Sequence, residues 1–269
     1  MNWTQMLLVG LVVLVTHALE GVTGFGCTVL AMPFVVLLLG IHVAKPVLAV
    51  LAWLLAGYIV AVSWKKIVWK EFYFIVLYVS LGLPIGMAIY EYLNEDALKG
   101  LLSLVMIGVG IHGFMKTWRS HRRNGTPGRT PEPLRPVMKN PFMRTILFLG
   151  GIVHGMFATG GPFVVIYASK AIPDKSLFRV SICLLWLTLN TVLIFGFTFI
   201  DNVWTPESTG ILLLTLPFLV AGMLFGDFLH HRVSEYFFRL IVYGVLFVSG
   251  WVFVYEVAHH LFFIRNAGT

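Results

Sequence analysis

The chain has 269 residues, 58% of them apolar and only 12% charged, with a mean hydropathy of +0.88. Soluble domains run nearer to roughly 45–50% apolar and 25% charged, so a water-soluble globule is excluded and the composition is that of an integral membrane protein. The formal charge of +7 does not argue for nucleic acid, because eight of the 19 Lys and Arg residues crowd between Lys116 and Arg144, which reads first as a topology signal. Cys27 and Cys183 both sit in apolar segments, giving neither a disulfide framework nor a zinc spacing, and no metal or cofactor is expected.

Apolar segments cover residues 6–40, 46–64, 72–93, 98–115, 143–169, 180–199, 209–229 and 238–263. None alternates with period two as barrel strands do, so the fold class is all-α and polytopic. No Lys or Arg precedes Met6–Leu19 and another apolar run follows almost at once, so this stretch reads as mature structure and not as a signal peptide. Met6–Leu19 and Cys27–Gly40 are each about fourteen residues, or roughly 21 Å of helix, too short for ~30 Å of hydrocarbon. Between them lies Gly21-Val22-Thr23-Gly24-Phe25-Gly26, a poor continuous helix and a good place for non-helical backbone. At membrane depth such backbone must be shielded by protein or line a wet cavity. The three segments that follow complete a first repeat, residues 1–116.

Residues 117–142 form a linker with Arg119, Arg122, Arg123, Arg129, Arg135 and Lys139 and five of the twelve prolines. It cannot bury a core, and its cations place it in the cytoplasm. The second repeat, 143–269, opens with a matching break at Gly155-Met156-Phe157-Ala158-Thr159-Gly160-Gly161-Pro162, where Thr159 resembles a helix cap and Pro162 suits a first turn.

The halves match when the chain is slid along itself. At a shift of 134, Gly21, Gly24, Gly26 and Lys45 fall on Gly155, Ala158, Gly160 and Arg179; at 140, Gly82, Gly86, Asn94, Glu95, Lys99 and Gly110 fall on Gly222, Gly226, Ser234, Glu235, Arg239 and Gly250. Four full crossings per repeat would leave twelve cations inside and seven outside. If the first segment of each repeat is instead re-entrant or broken, three crossings follow it, the repeats are inverted, and only Lys45, Lys99 and Arg265 lie outside against sixteen inside. The second arrangement obeys the positive-inside rule better.

Two dips from opposite faces would bring two half-helix N-termini together near the midplane, each with free amides and a positive dipole end, which is a site for an anion. Amides of Gly24, Gly26, Cys27, Gly160 and Gly161 would donate, and the hydroxyls of Thr23, Thr28 and Thr159 would add directional bonds. The alternative is that the glycines only allow close helix packing. Glu20 and His154 occupy equivalent positions before the two breaks, and an ionisable group at mid-depth costs about 2.5–3.5 kcal/mol, so one of them carries a coupling proton or both hydrogen-bond frayed backbone. His17, one turn before Glu20, bonds it or packs. Lys45 and Arg179 either guide anions into opposing vestibules or snorkel to headgroups. Asn190, with Ser181 and Thr188, offers neutral polar groups to the interior, Trp53 and Trp186 would wall the cavity, and the alternative for all five is helix-helix glue. Trp64, Trp69, Trp118 and Trp204, near segment ends, read as interface anchors.

The string Gly21-xx-Gly24-x-Gly26 followed by Met32-Pro33, its echo at Gly155 to Pro162, and the four-linker-four hydropathy resemble the TauE/SafE family of sulfite exporters. The chain departs from the family's glycine run at Cys27 and Thr28 and has Tyr167 in place of a second Pro33. The resemblance implies secondary transport of a small sulfur-containing anion, such as sulfite, sulfoacetate or a related organosulfonate, across a bacterial inner membrane. Its partners would be that substrate and the bilayer, and a homodimer is compatible with it. Rival classes are an anion channel and a membrane scaffold using the basic linker. An enzyme lacks its usual parts, with no H-E-x-x-H helix and no serine elbow with a matching histidine.

Overall fold

The computed structural model describes residues 3–23, 27–123, 140–229 and 235–267. Gly24 and Gly26, the linker from 124 to 139, and the side chains of Thr23 and Cys27 lie outside the described residues. The described residues are predominantly helical and contain no strand. Its helices are α1 (Trp3–Thr23), α2 (Cys27–Leu39), α3 (Ile41–Ser63), α4 (Trp69–Tyr92), α5 (Glu95–Arg123), α6 (Pro141–Phe157), α7 (Gly161–Ala171), α8 (Lys175–Phe199), α9 (Pro206–Leu229) and α10 (Glu235–Ala267). Among the described residues, six stretches, in α1, α3, α4, α5, α8 and α9, are long and apolar enough to cross a membrane. The protein is an all-α, polytopic membrane protein.

The first apolar segment is longer than its hydropathy suggests. Helix α1 spans 21 residues because it starts at Trp3 and runs on through Gly21 to Thr23. At 1.5 Å per residue that is about 32 Å, enough to cross. Its counterpart α6 has 17 residues, and the second helices of the two pairs, α2 and α7, have 13 and 11. The second pair is a broken helix, as its glycine cluster predicts, and begins with a segment too short to span; the corresponding glycines of the first pair, 24 and 26, lie outside the described residues.

The chain divides into two compact units, Met1–Tyr90 with Leu134–Arg232, and Glu91–Pro133 with Val233–Thr269. In the first unit α3 and α8 are buried along much of their length and run antiparallel. Lys45 faces Phe197, Trp53 Nε1 donates to Thr191 Oγ1 (2.8 Å), Gly57 faces Leu187, and the Val68 N–H donates to Ser181 Oγ (2.9 Å), so numbers rise on one helix as they fall on the other. Two parallel pairs are set by glycines. Gly10 packs under Phe218, Gly222 meets Leu14 and Ala18, and Gly226 meets Ala18 and Gly21, joining α1 to α9. Gly82 meets Phe148 and Ile152, and Gly86 meets Ile152 and Gly155, joining α4 to α6. With no Cβ in the way, these backbones approach closely enough for dispersion to replace the hydrophobic force that lipid does not supply.

The second unit is the antiparallel pair α5 and α10. Gly250 packs on Ser103 and Ile107, and Gly110 on Tyr243 and Phe247. Nearer the start of α5, Lys99 Nζ bonds Glu256 (2.5 Å) and Glu95 (3.3 Å), and Asp96 pairs with His260 (2.9 Å).

Candidate functional site

The second break is resolved in atomic terms. Helix α6 ends where Ala158 turns into the left-handed region (φ 53°, ψ 27°) and returns its N–H to the His154 carbonyl at 2.7 Å. Gly160 caps α7 without a side-chain bond, and Pro162 takes the first turn, where a missing N–H costs nothing. The reversal is tight: a Cβ on Gly160 would run into the Gly150 carbonyl and the His154 Cβ. Thr159 is therefore not the cap that its position suggests. Its hydroxyl is buried and without a hydrogen-bond partner. Farther along α7, Tyr167 is fully buried, stacks on Phe74 and donates its hydroxyl to Glu71 Oε2 at 2.6 Å, tying this short helix to α4.

Within the first unit the first turn of α2 and the α6–α7 reversal meet at a cavity of about 280 Å³, its open mouth included. From the first half it is lined by Glu20 near the end of α1, Thr28 and Val29 in the first turn of α2, and Ala52 of α3; from the second, by His154, Ala158, Thr159 and Gly161 around the α6–α7 reversal and Trp186 and Asn190 of α8. The first turns of α2 and α7 thus both face one small space.

Its polar groups are deeply buried: Glu20 is 2% exposed, His154 and Asn190 1% each. His154 stacks on Trp186 (centroids 5.5 Å apart, planes 22° apart), and its Nδ1 accepts the Gly160 N–H at 3.4 Å. Because a backbone amide can only donate, Nδ1 presents its lone pair, and the neutral ring carries its proton on Nε2. Asn190 stands beside the imidazole as its side-chain partner, although the contact falls short of ideal hydrogen-bond geometry. The Thr159 hydroxyl on the same wall has no partner, and an unsatisfied buried group costs on the order of 1–3 kcal/mol. Such a wall is built to be completed by a ligand or by water.

Sequence reasoning named Glu20, Thr28, His154, Thr159, Gly161, Trp186 and Asn190, and the structure brings them together. Gly24, Gly26 and the side chains of Thr23 and Cys27 lie outside the described residues, and the remaining candidates sit elsewhere. Gly160 lies behind the reversal, beneath His154. Lys45 is 2% exposed, so it does not snorkel; its ammonium sits over the ring of Tyr90 (3.5 Å to the centroid) and faces Phe197 (5.4 Å). Arg179 is partly buried on α8, outside the lining. Trp53 bonds Thr191 across the α3–α8 contact, Ser181 accepts the Val68 N–H, and Thr188 bonds the Leu184 carbonyl at 2.8 Å, so none of them walls the cavity. His17 does not line it either, its Nδ1 bonding the Val13 carbonyl at 2.8 Å. Gly21 and Gly155, read as parts of the breaks, are packing glycines. Cys183 is buried. Val29, Ala52 and Ala158 were missed, because an apolar residue in an apolar helix carries no signal of where it points. Trp64, Trp69 and Trp118 are exposed, as interface anchors should be.

Compared with known proteins, residues 8–253 match the family model described as Sulfite exporter TauE/SafE. No curated protein and no solved structure shows a significant match.

Proposed function

Since the match over residues 8–253 makes the chain a member of the sulfite exporter TauE/SafE family, a family of membrane anion exporters, we propose that it is a secondary transporter of small sulfur-containing anions in a bacterial inner membrane. The single observation that carries this reading is the cavity where the first turns of α2 and α7 converge with Glu20, His154 and Asn190. Two helix N-termini supply positive dipole ends, and buried polar side chains supply direction. Sulfite, sulfoacetate and related organosulfonates are the candidates.

Transport would proceed by alternating access, the halves rocking about the site as inverted repeats. What supports the inversion is the direction of packing. The equivalent helices α3 and α8 are antiparallel, as are α5 and α10, while α1 meets α9 through the same glycine positions by which α6 meets α4. Glu20 and His154 are the candidates for the coupling proton, and Lys45 and Arg179 are electrostatic guides acting from outside the cavity wall. The linker lies in the cytoplasm.

Uptake of sulfite, thiosulfate, sulfoacetate and taurine into proteoliposomes, with and without a pH gradient, tests the proposal. Saturable flux that responds to the gradient is expected. Currents at single-channel rates would make the protein a channel, and loss of function on exchanging the linker for a neutral one would make it a scaffold.

A further inference from the structure

Gly161, which lines the cavity, stands at one end of a short rod. Helix α7 has 11 residues, about 16 Å, and no side-chain cap, so its axis is set by what it touches and not by its own stability. At the cavity end the reversal at Gly160 fixes it, leaving no room for a Cβ. Toward the other end stands Tyr167, about 9 Å beyond Gly161 along the axis. Its ring is fully buried and stacks on Phe74 (centroids 5.3 Å apart, planes 23° apart), and its hydroxyl donates to Glu71 Oε2. Glu71 and Phe74, three residues apart, share a face of α4. Gly82 follows Glu71 by about three whole turns, so the same side of α4 carries the glycines that seat on α6. Helix α4 therefore holds both arms of the hairpin, α6 through Gly82 and Gly86 and α7 through Glu71 and Phe74.

The first repeat has no counterpart to this bond. At the shifts of 134 and 140 that align the halves, Pro33 stands for Tyr167 and Ile211 for Glu71, and neither carries a polar side chain. All the bond asks of Glu71 is an acceptor oxygen, which a carboxyl offers whether ionised or protonated. Resting on the transport reading above, we propose that Tyr167 and Glu71 are positioning residues: their bond clasps α7 to α4 and so aims Gly161, with Thr159 beside it, into the cavity. Without the bond the ring still stacks on Phe74, but α7 is free to turn about its own axis. A small turn carries the groups at its start out of line with a ligand, and hydrogen bonds weaken steeply with angle.

Two readouts on the full chain separate the clasp from transport. Hydrogen–deuterium exchange of the purified protein in detergent reports the order of α7, and sulfite uptake into proteoliposomes gives the half-saturating concentration apart from the maximal rate. Tyr167→Phe, which keeps the stack, is expected to speed exchange of the α7 amides about tenfold while α3 and α8 stay as they are. The half-saturating concentration should rise about tenfold, with the maximal rate within about twofold. Glu71→Ala should do the same, and Glu71→Gln, whose carbonyl still accepts the phenolic proton, should restore both values. Combining Tyr167→Phe with Glu71→Ala should be no worse than either alone. Unchanged α7 exchange in Tyr167→Phe would overturn the proposal whether or not the protein transports, as would Glu71→Gln behaving like Glu71→Ala. Exchange rising equally in α3 and α8, or a half-saturating concentration unmoved by a loosened α7, would reduce Tyr167 to a packing residue and overturn the positioning role. A loosened α7 in Tyr167→Phe with no sulfite uptake by the unaltered chain would instead sink the transport reading and leave the clasp standing.

Discussion

Ala158 holds a conformation that a side chain disfavours: φ 53° puts its Cβ against the following carbonyl, at a cost of about 1–2 kcal/mol. The residue shapes the cavity wall between His154 and Thr159. Ala158→Gly should raise thermal stability by up to about 1 kcal/mol, part of the strain relief being lost to the entropy of glycine, while calorimetry shows weaker anion binding from a looser reversal. Two substitutions at His154 separate a donor from mere bulk. His154→Gln can place an amide N–H near the Nε2 position and should retain binding, whereas His154→Ala should lose about 1–3 kcal/mol of it. Much of this scale was legible, because Glu20, His154, Thr159 and Asn190 are polar groups stranded in hydrocarbon, where each must have a reason. Lys45 was not, since a long cationic side chain reaches headgroups or an aromatic face equally well, and only the position of Tyr90 decides between them.

Among the elements, glycine spacing carries the architecture. A Cβ on Gly86 would strike the Ile152 carbonyl and push α4 off α6, whereas one on Gly100 would meet nothing within 4 Å. Gly86→Ala should therefore destabilise by about 1–3 kcal/mol. Gly100→Ala should be neutral or stabilise by up to about 1 kcal/mol, both being read from thermal unfolding in detergent. Gly40, between α2 and α3 with φ 78° and ψ 161°, sits where a Cβ is hardly tolerated. Hydropathy located every helix, but it ended α1 too early. Three glycines in six residues look like a stop, and Gly21 is instead a contact surface for Gly226, which no local pattern can announce. Thr159 was misread for a related reason: a threonine before Gly-Gly-Pro has the composition of a cap, and the tight return to Gly150 moves the cap to Gly160.

For the molecule as a whole, the proposed inversion makes a topological prediction. In a background without Cys27 and Cys183, a membrane-impermeant thiol reagent should label Tyr92→Cys on intact cells, and Lys66→Cys and Lys170→Cys only after permeabilisation; all three native residues are exposed. Labelling of all three from outside would refute it. The compact units cut across the sequence repeats, because each repeat sends its last helix, α5 or α10, out of the first unit to pair with the other. Composition, helix count, the break of the second pair and the identity of most polar cavity residues were determined by the sequence itself, since lipid forces every backbone into helix and makes every buried polar group conspicuous. The tertiary structure alone decided which helices pair, where Lys45 and Trp53 go, and that the first turn of α2 and the α6–α7 reversal close on one cavity. Those outcomes depend on backbone approach at glycines far apart in the chain, and a linear pattern does not say which surface will meet which.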